Sequence, residues 1–340
     1  MWKHYLVGIL ISLAAAWFFL RSVPLEGMAQ ALAHMHLVYL LPCAALYLVS
    51  YVFRTLRWHY LMRPVARVGF IPLFRALMIG FLGNNILPAH LGEVVRAYVL
   101  GRSQQVSASA TFATIVLERI YDGLTVLLLL LMVLLFMDLP HQAAPGGFIT
   151  LQTLHTAGWL GLGLFAGLML VLQAFYWQRR RALSACAFCL RPLPERLSGR
   201  LLHLLEEFSR GLSVVSPRDL VFVGLYSLLT WVFLGLWAWS LFPAFDLNLG
   251  PMAGMLMEVV VALALLIPSA PAFLGTFHLA AAATLGFMGA DAGVAGSYAM
   301  ALWLVHFVTT TVAGLYCLWR QGLGLRALGR GSLGGPEENS

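Results

Sequence analysis

Long apolar segments separated by short polar ones dominate the pattern along this 340-residue chain. A helix needs about 20 predominantly apolar residues to cross the hydrocarbon core of a bilayer. Segments close to this length lie at residues 3–21, 37–57, 110–137, 154–178, 218–242 and 296–319. The pattern predicts an all-α, polytopic integral membrane protein with about six full transmembrane helices. The first segment is expected to be an uncleaved helix, because no cleavage site of small residues follows it closely.

Two further apolar segments, residues 76–101 and 251–290, are interrupted by proline, glycine and polar residues. Arg75 and Arg102 flank the first segment, whereas the loops that flank the second contain no lysine or arginine. Since arginine-rich loops remain in the cytoplasm, the first segment must enter the membrane from that side and return. The second must enter and return from the opposite side. We therefore predict two oppositely oriented broken or re-entrant helical hairpins.

The two interrupted segments also share a short sequence. Pro88-Ala-His-Leu-Gly-Glu93 resembles Pro271-Ala-Phe-Leu-Gly-Thr276. Combined with the opposite orientations, this favours an inverted repeat, the arrangement with which many transporters build a site at the membrane midplane. Two unrelated proline-kinked hairpins are the alternative. The candidate hinge residues are Pro88, Gly92, Pro268, Pro271 and Gly275.

The charges set the predicted orientation. Only 10% of the residues are charged, against about 25% in soluble proteins, and the formal net charge is +7. The arginines lie beside apolar segments, which indicates contact with anionic phospholipid at the cytoplasmic face and argues against nucleic acid. We expect a bacterial inner-membrane protein with both termini in the cytoplasm. Arginines taken to mark one cytoplasmic loop are Arg54, Arg57, Arg63, Arg67 and Arg75.

A single transmembrane domain is predicted for residues 1–328, followed by a disordered cytoplasmic tail at 329–340. Within it, residues 179–217 form an arginine-rich cytoplasmic loop whose leucines recur at helical spacing. That spacing predicts an amphipathic helix on the membrane surface. The loop also contains Cys186 and Cys189, but no second ligand pair accompanies them. Incidental reduced cysteines are therefore favoured over a metal or redox site, and no cofactor or metal is predicted.

Polar residues concentrate at the interruption between residues 84 and 96 and in the first turns of the long span that begins near Ala110. Such groups cost several kcal/mol when unpaired in hydrocarbon, so they must be buried in protein or line an aqueous cavity. A helix that begins near Glu93 would direct free N–H groups at an anion, and Arg96 offers a planar fork for phosphate. The candidate residues for a lipid headgroup are Asn84, Asn85, His90, Glu93, Arg96, Glu118, Arg119 and Asp122. A Glu93–Arg96 pair that only stabilises the hairpin, and an ion-pair network that locks the bundle, are the alternatives.

Glu258 is the single acidic residue in a long apolar run. An intramembrane carboxyl group of this kind can bind and release a proton, so Glu258 is the candidate for coupling to an ion gradient, with His278 as its candidate assistant. A permanent pair between Glu258 and Arg96 or Arg119 is the alternative. A histidine such as His278 can equally be a hydrogen-bonded packing residue.

Four stretches together resemble a known family. They are Arg54-Thr-Leu-Arg57-Trp58, Asn85-Ile-Leu-Pro88 with Gly92-Glu93-Val-Val-Arg96, Glu118-Arg119-Ile-Tyr-Asp122, and the segment from Pro268 to Gly275. In this order they are similar to the transmembrane domain of lysylphosphatidylglycerol synthase/flippases. The resemblance implies a lipid-translocating domain with two re-entrant helices. It does not imply synthesis of lysyl-lipid, because the aminoacyltransferase domain has no counterpart here.

The last stretch departs from the family pattern. Ala272 and Phe273 replace two glycines, and His278 stands at the place of a glutamate. A different headgroup chemistry therefore stays open.

The expected function is that of a flippase-like protein that moves an anionic or glycosylated lipid between the leaflets of the inner membrane. Two alternatives remain: a non-transporting accessory subunit of a cell-envelope lipid or glycan pathway, and an integral-membrane lipid transferase that uses His90, Glu93 and Asp122. No recognisable enzyme motif occurs in the sequence, so an enzyme is not expected. Phospholipids, polyprenyl-linked sugars and hopanoid-type lipids all remain candidate substrates.

Overall fold

The computed structural model describes residues 16–21, 24–87, 91–140, 149–178, 184, 188, 195–211, 216–267 and 270–322. Within these ranges the regular structure is entirely helical, which confirms the predicted all-α class. The longer helices are α1 (Leu25–Ala33), α2 (Leu40–Met62), α3 (Phe70–Ile86), α4 (Gly92–Gln104), α5 (Ala108–Phe136), α6 (Leu151–Trp177), α7 (Glu195–Gly211), α8 (Pro217–Ser240), α9 (Pro251–Ala264), α10 (Thr276–Phe287) and α11 (Ala292–Arg320).

Five of the described helices are long and apolar enough to cross a membrane. They are α2, α5, α6, α8 and α11, and they coincide with the second to sixth predicted spans. Of the predicted first span, only residues 16–21 are described, and they are helical. The protein is therefore a membrane protein with several spans, as the apolar pattern predicts.

Helix α2 is the central helix of the bundle. It packs against α3, α5, α8 and α11, and it continues to Met62 because the chain has no breaker before Pro64. The interpretation of Arg54 and Arg57 as residues of a cytoplasmic loop is therefore wrong, since both are buried on α2. Its buried side chains recur every three or four residues and form one inward face: Cys43, Tyr47, Tyr51, Arg54, Arg57, Trp58 and Leu61.

Helices α3 and α4 form the first hairpin, and glycines allow them to touch along their backbones. A Cβ on Gly92 would collide with the carbonyl oxygen of Gly80 and with the backbone of Asn84. Gly83 lies against Gly92 in the same way. Because α3 and α4 run antiparallel at this distance, the end of α3 and the beginning of α4 form the tip of the hairpin.

Helices α9 and α10 form the second hairpin, with residues 265–267 and 270–275 at its tip. A short 3₁₀ turn, Pro271–Phe273, lies in this tip. Ala272 has a φ of 56° there, and Trp303 of α11 donates a hydrogen bond to its carbonyl oxygen at 2.8 Å. Gly275 has a φ of 85°, a conformation that favours glycine, and α10 begins directly after it.

The two hairpins approach each other at their tips. Helix α3 contacts the Pro271–Phe273 turn, and both hairpins pack against α11 and α5. Their re-entrant character, the inverted repeat and the side of entry stay predictions.

Two shorter helices, α7 and α1, are not among the helices that are long and apolar enough to cross a membrane. Helix α7 occurs where an amphipathic helix is predicted and packs against α5, with Ser109 Oγ donating to the carbonyl oxygen of Leu204 at 2.7 Å. Helix α1 lies between the first two predicted spans and packs against α11. The membrane-surface location of α7 and the single domain at 1–328 stay predictions. Cys186, Cys189 and the predicted tail at 329–340 lie outside the described residues.

Candidate functional site

A cavity of about 430 Å³ lies between the two hairpin tips, α2 and α5. The first hairpin contributes its glycines and polar residues, and the second contributes mainly apolar ones. The polar side chains that line the cavity are Tyr47, Tyr51, Arg54, Asn84, Glu93, Arg96, Arg119, Asp122 and His306. The apolar lining includes Phe81, Val126, Phe165, Trp231, Leu263, Leu266, Phe273 and Phe277. The cavity therefore has the volume of a small-molecule or headgroup site and is both apolar and charged.

Glu118 organises the charges beneath the cavity. Its side chain is fully buried, and Arg96 donates to both carboxylate oxygens, at 3.2 and 2.8 Å. Arg119 donates to Oε1 at 2.8 Å, and Arg57 Nη2 lies 3.1 Å from the same oxygen. One carboxylate thus contacts three guanidinium groups, from α2, α4 and α5. A network that locks the bundle, the alternative to a headgroup role, would need contacts of this kind, and the choice between the two stays a prediction.

Asp122 lies one helical turn beyond Glu118 on α5 and binds a second group of donors. Its Oδ1 accepts hydrogen bonds from Arg57 Nη1 at 2.6 Å and from Trp231 Nε1 at 2.9 Å. Its Oδ2 is buried without a hydrogen bond and lies 3.4 Å from Arg119 Nη2. Asp122 therefore joins α2 and α8 to α5. Its second carboxylate oxygen, Oδ2, remains near Arg119 without a hydrogen bond.

Glu93 and Arg96 do not form the pair with each other that the sequence allowed. Glu93 Oε1 lies 3.4 Å from Arg119 Nε, while Arg96 binds Glu118. The guanidinium of Arg96 also lies 3.5 Å above the centre of the Trp58 ring. Arg96 thus contacts both Glu118 and the Trp58 ring. Glu93 and Arg119 form the more exposed ion pair at the cavity. The headgroup role of these three residues stays a prediction.

Arg54 is the charged residue of the cavity that was not among the sequence candidates for a lipid headgroup; Tyr47, Tyr51 and His306 were not among them either. The side chain of Arg54 is 9% exposed, and its nearest carboxylate oxygen, Asp122 Oδ2, is 3.9 Å away. The rings of Tyr51, Phe81 and Trp231 surround the guanidinium at 5.6 to 5.9 Å. The signal that could have found it is the unbroken helical sequence before Pro64, which places Arg54 and Arg57 one turn apart inside a helix.

The two asparagines of the first hairpin, Asn84 and Asn85, form hydrogen bonds with different helices. Asn84 Oδ1 accepts a hydrogen bond from the backbone N–H of Gly92 at 2.9 Å, so it satisfies the first turn of α4. Asn85 Nδ2 donates to Thr310 and Thr311 of α11, at 2.8 and 3.0 Å. Only Asn84 lines the cavity. The predicted residues Pro88, His90 and Pro268 lie outside the described residues.

The histidine at the cavity is His306, whereas His278 does not line it. His306 Nδ1 is hydrogen-bonded to Tyr47 Oη, which in turn is hydrogen-bonded to Tyr51 Oη at 2.7 Å. His278 is buried between Phe19 and Trp303, and neither of its ring nitrogens has a partner in the described part of the chain. The assignment of His278 as the assistant of Glu258 stays a prediction.

Glu258 is buried on α9, and its Oε1 has no hydrogen-bond partner among the described residues. No carboxylate-to-guanidinium distance within 4 Å occurs for it there. The arginines proposed as permanent partners, Arg96 and Arg119, instead bind acidic residues of α4 and α5.

The charges of this cluster do not cancel. Arg54, Arg57, Arg96 and Arg119 face Glu93, Glu118 and Asp122, so the paired set carries an excess of one positive charge. Arg54 carries that excess because it is the member without a close carboxylate. A buried cation beside a cavity is stabilised when an anionic group enters.

A family model described as "Lysylphosphatidylglycerol synthase TM region" matches residues 5–314. A UPF0104 membrane protein of Methanothermobacter thermautotrophicus is 28% identical over 180 residues, 51% of this chain and 46% of that protein. Another, of Methanocaldococcus jannaschii, is 25% identical over 198 residues, 58% of this chain and 76% of that protein.

One relative carries an enzyme name. The glycosyltransferase AglD of Haloferax volcanii is 32% identical over 118 residues, 34% of this chain and 18% of that protein. The matched part thus spans about half of the Methanothermobacter relative and less than a fifth of the glycosyltransferase. No solved structure matches the chain.

Proposed function

We infer that this chain, which belongs to the lysylphosphatidylglycerol synthase transmembrane-region family, moves an anionic or glycosylated lipid between the leaflets of the bacterial inner membrane. The observation that carries the proposal is the cavity between the two hairpin tips, with the incompletely paired Arg54 on its wall. We further propose the orientation with both termini in the cytoplasm.

The cavity can accept the polar part of a lipid while its acyl chains stay outside. A phosphate group beside Arg54 and Arg119 would receive charge-assisted hydrogen bonds, and Glu93 and Asn84 offer acceptors to sugar or glycerol hydroxyls. Large apolar side chains at the hairpin tips, among them Ile86, Leu266 and Leu274, are about half exposed. Exposed apolar tips fit contact with acyl chains better than contact with water.

The opposed hairpins suggest how such a lipid would pass. Residues of both hairpins line the cavity, so movement of one hairpin at a time would open the site alternately to the two leaflets. Glycine contacts hold α3 against α4 within the first hairpin and α9 against α8. These closely packed helix pairs are expected to move as units.

The purified chain in phosphatidylcholine vesicles tests this function directly. A tail-labelled fluorescent phosphatidylglycerol should exchange between leaflets faster than in vesicles without protein, measured by its accessibility to a membrane-impermeant quencher. Native mass spectrometry of the purified chain should identify a co-purified anionic or glycosylated lipid. If labelled lipids of both kinds exchange no faster than in empty vesicles, translocation is wrong.

A non-transporting accessory role is the second candidate, favoured by the similarity to the glycosyltransferase AglD. In this role the same cavity holds a lipid for a partner enzyme of a lipid or glycan pathway. The vesicle experiment separates the two functions, because an accessory subunit would retain a bound lipid in native mass spectrometry without accelerating its exchange.

Replacing Glu258 with Gln should remove any effect of a pH gradient on transport. Glu258 is buried on α9, and its Oε1 has no hydrogen-bond partner among the described residues. A buried carboxyl group with no ion pair within 4 Å can bind and release a proton during each cycle. Glu258→Gln cannot, so lipid exchange in vesicles should become independent of an imposed pH gradient while passive exchange continues.

His278→Gln is the matched comparison for this variant, because it changes a second buried titratable residue away from the cavity. If the wild-type exchange rate does not respond to the gradient, proton coupling is wrong and passive facilitation remains. If His278→Gln, and not Glu258→Gln, removes the response, the coupling group is His278.

A further inference from the structure

A second pocket lies at the opposite end of the first hairpin from the cavity. Its volume is about 400 Å³, and it is formed where the beginning of α3 meets the ends of α4 and α11. Arg75, Arg102 and Arg320 line it, together with Pro72, Tyr98, Val99, Ser103, Gln104, Leu318 and Gln321. None of these lining residues is acidic.

We propose that this pocket is a binding site for a phosphate ester, distinct from the headgroup cavity. Arg102 and Arg320 are exposed, so water screens part of the repulsion, but three guanidinium groups in one pocket without a carboxylate still favour a bound anion. Guanidinium forks match phosphate oxygens in geometry. In the described part of the chain, none of the three arginines has a carboxylate within 4 Å, in contrast with the cluster around Glu118. Gln321 adds a buried Oε1 without a hydrogen-bond partner, which a ligand hydroxyl can satisfy.

The surroundings of the pocket favour a lipid as the source of the phosphate. Ile71 and Trp319, directly before Pro72 and Arg320 in the chain, are 54% and 72% exposed. Exposed tryptophan and tyrosine beside arginines are typical of the membrane–water interface. Arg102 lies six residues after Arg96 on α4, so the two sites are about 9 Å apart along the helix. The inference does not depend on the proposed translocation.

A structural role for the arginines gives a different expectation. Arg102 and Arg320 occupy the last turns of α4 and α11, where a cation also stabilises the helix macrodipole. Arg75 lies in the second turn of α3, where the macrodipole gives a cation no stabilisation. If the macrodipole were the whole explanation, replacing Arg102 or Arg320 would lower thermal stability without changing the affinity for any anion.

Thermal unfolding of the full chain in neutral detergent measures this affinity, since a ligand that binds only the folded state raises the unfolding temperature as its concentration increases. The probes are dihexanoyl phosphatidic acid, dihexanoyl phosphatidylcholine as the zwitterionic control, and inorganic diphosphate. The background is Arg54→Gln, so that binding in the headgroup cavity contributes little. Phosphatidic acid should stabilise this protein, and phosphatidylcholine should not.

Adding Arg75→Gln, Arg102→Gln or Arg320→Gln should raise the half-saturating concentration of phosphatidic acid about tenfold or more for each change, since each removes a charge-assisted hydrogen bond. Arg67→Gln, at an exposed arginine outside the pocket, is the control and should leave it unchanged. If Arg75→Gln fails to fold, Arg75→Lys replaces it, because lysine keeps the charge without the fork.

Diphosphate, the soluble probe, distinguishes a free phosphate compound from a lipid as the ligand of the pocket. Stabilisation by diphosphate that depends on the same three arginines assigns the site to a free phosphate compound, and stabilisation by phosphatidic acid alone assigns it to a lipid. The proposal is overturned if no probe shows a half-saturating concentration that depends on these arginines. It is also overturned if the arginine variants lose thermal stability but bind as the Arg67→Gln control does.

Discussion

Replacing Glu118 with Gln is expected to destabilise the protein by roughly 3–5 kcal/mol, as when one partner of a buried ion pair is removed. The carboxylate is fully buried and lies within 3.2 Å of nitrogen atoms of Arg57, Arg96 and Arg119. A glutamine has nearly the same shape, but it removes the negative charge and directs an N–H₂ group at guanidinium donors. Thermal unfolding in detergent should show a large decrease in the midpoint.

Glu93→Gln is the matched control for that variant. Glu93 carries the same carboxylate, but its side chain is 22% exposed and its ion pair with Arg119 is long, at 3.4 Å. Pairs of that kind contribute about 1 kcal/mol or less, so the midpoint should change little. Equal midpoints for Glu118→Gln and Glu93→Gln would contradict a locking role for Glu118.

A double variant sharpens the interpretation. Arg96→Met added to Glu118→Gln removes one of the uncompensated buried cations, so it should recover part of the lost stability. A purely steric defect at Glu118 would instead make the double variant at least as unstable as the single one.

Replacing Arg54 with Gln is expected to reduce lipid exchange in the vesicle experiment by about tenfold or more, which corresponds to one lost charge-assisted hydrogen bond to the headgroup. Arg54 lines the cavity, and its nearest carboxylate oxygen is 3.9 Å away. Folding should be nearly unaffected, because no short ion pair is broken. The thermal midpoint of Arg54→Gln should therefore stay close to that of the wild type.

Two further variants separate charge from position. Arg54→Lys keeps the cation without the planar fork and should exchange lipid at an intermediate rate. Arg63→Gln changes an arginine nine residues later, outside the cavity, whose partner is Asp219 at 2.5 Å. It should exchange lipid at the wild-type rate. If Arg54→Gln also does so, the headgroup does not bind at Arg54.

The apolar pattern was sufficient to predict the spanning helices. Whether a segment is long and apolar enough to cross a bilayer depends on its own composition, so α5 at Ala108–Phe136 differs from the predicted span 110–137 by only one or two residues. The interruptions at residues 76–101 and 251–290 indicated broken segments for the same local reason. The helical pairs α3–α4 and α9–α10 occur at these places.

The end of a helix inside a charged stretch was harder to predict. The span predicted at 37–57 ends at Met62 in the structure, because the arginines that indicated a loop are stabilised inside the bundle. Asp122 binds Arg57, and Glu118 approaches it as well. The free energy of burying an arginine depends on partners that lie more than 60 positions away in the chain.

The sequence by itself determined that this is a helical membrane protein with polar residues concentrated at one interruption of its apolar sequence and in the first turns of the span at 110–137. Only the tertiary structure decided which of those residues meet. Arg96 binds Glu118 and not Glu93, and Arg54 is left without a close partner at the cavity. The reason is physical. Spacing along a helix fixes which residues share a face. The rotation and depth of each helix relative to its neighbours determine which faces touch. Backbone contacts, such as that between Gly80 and Gly92, set this rotation and depth.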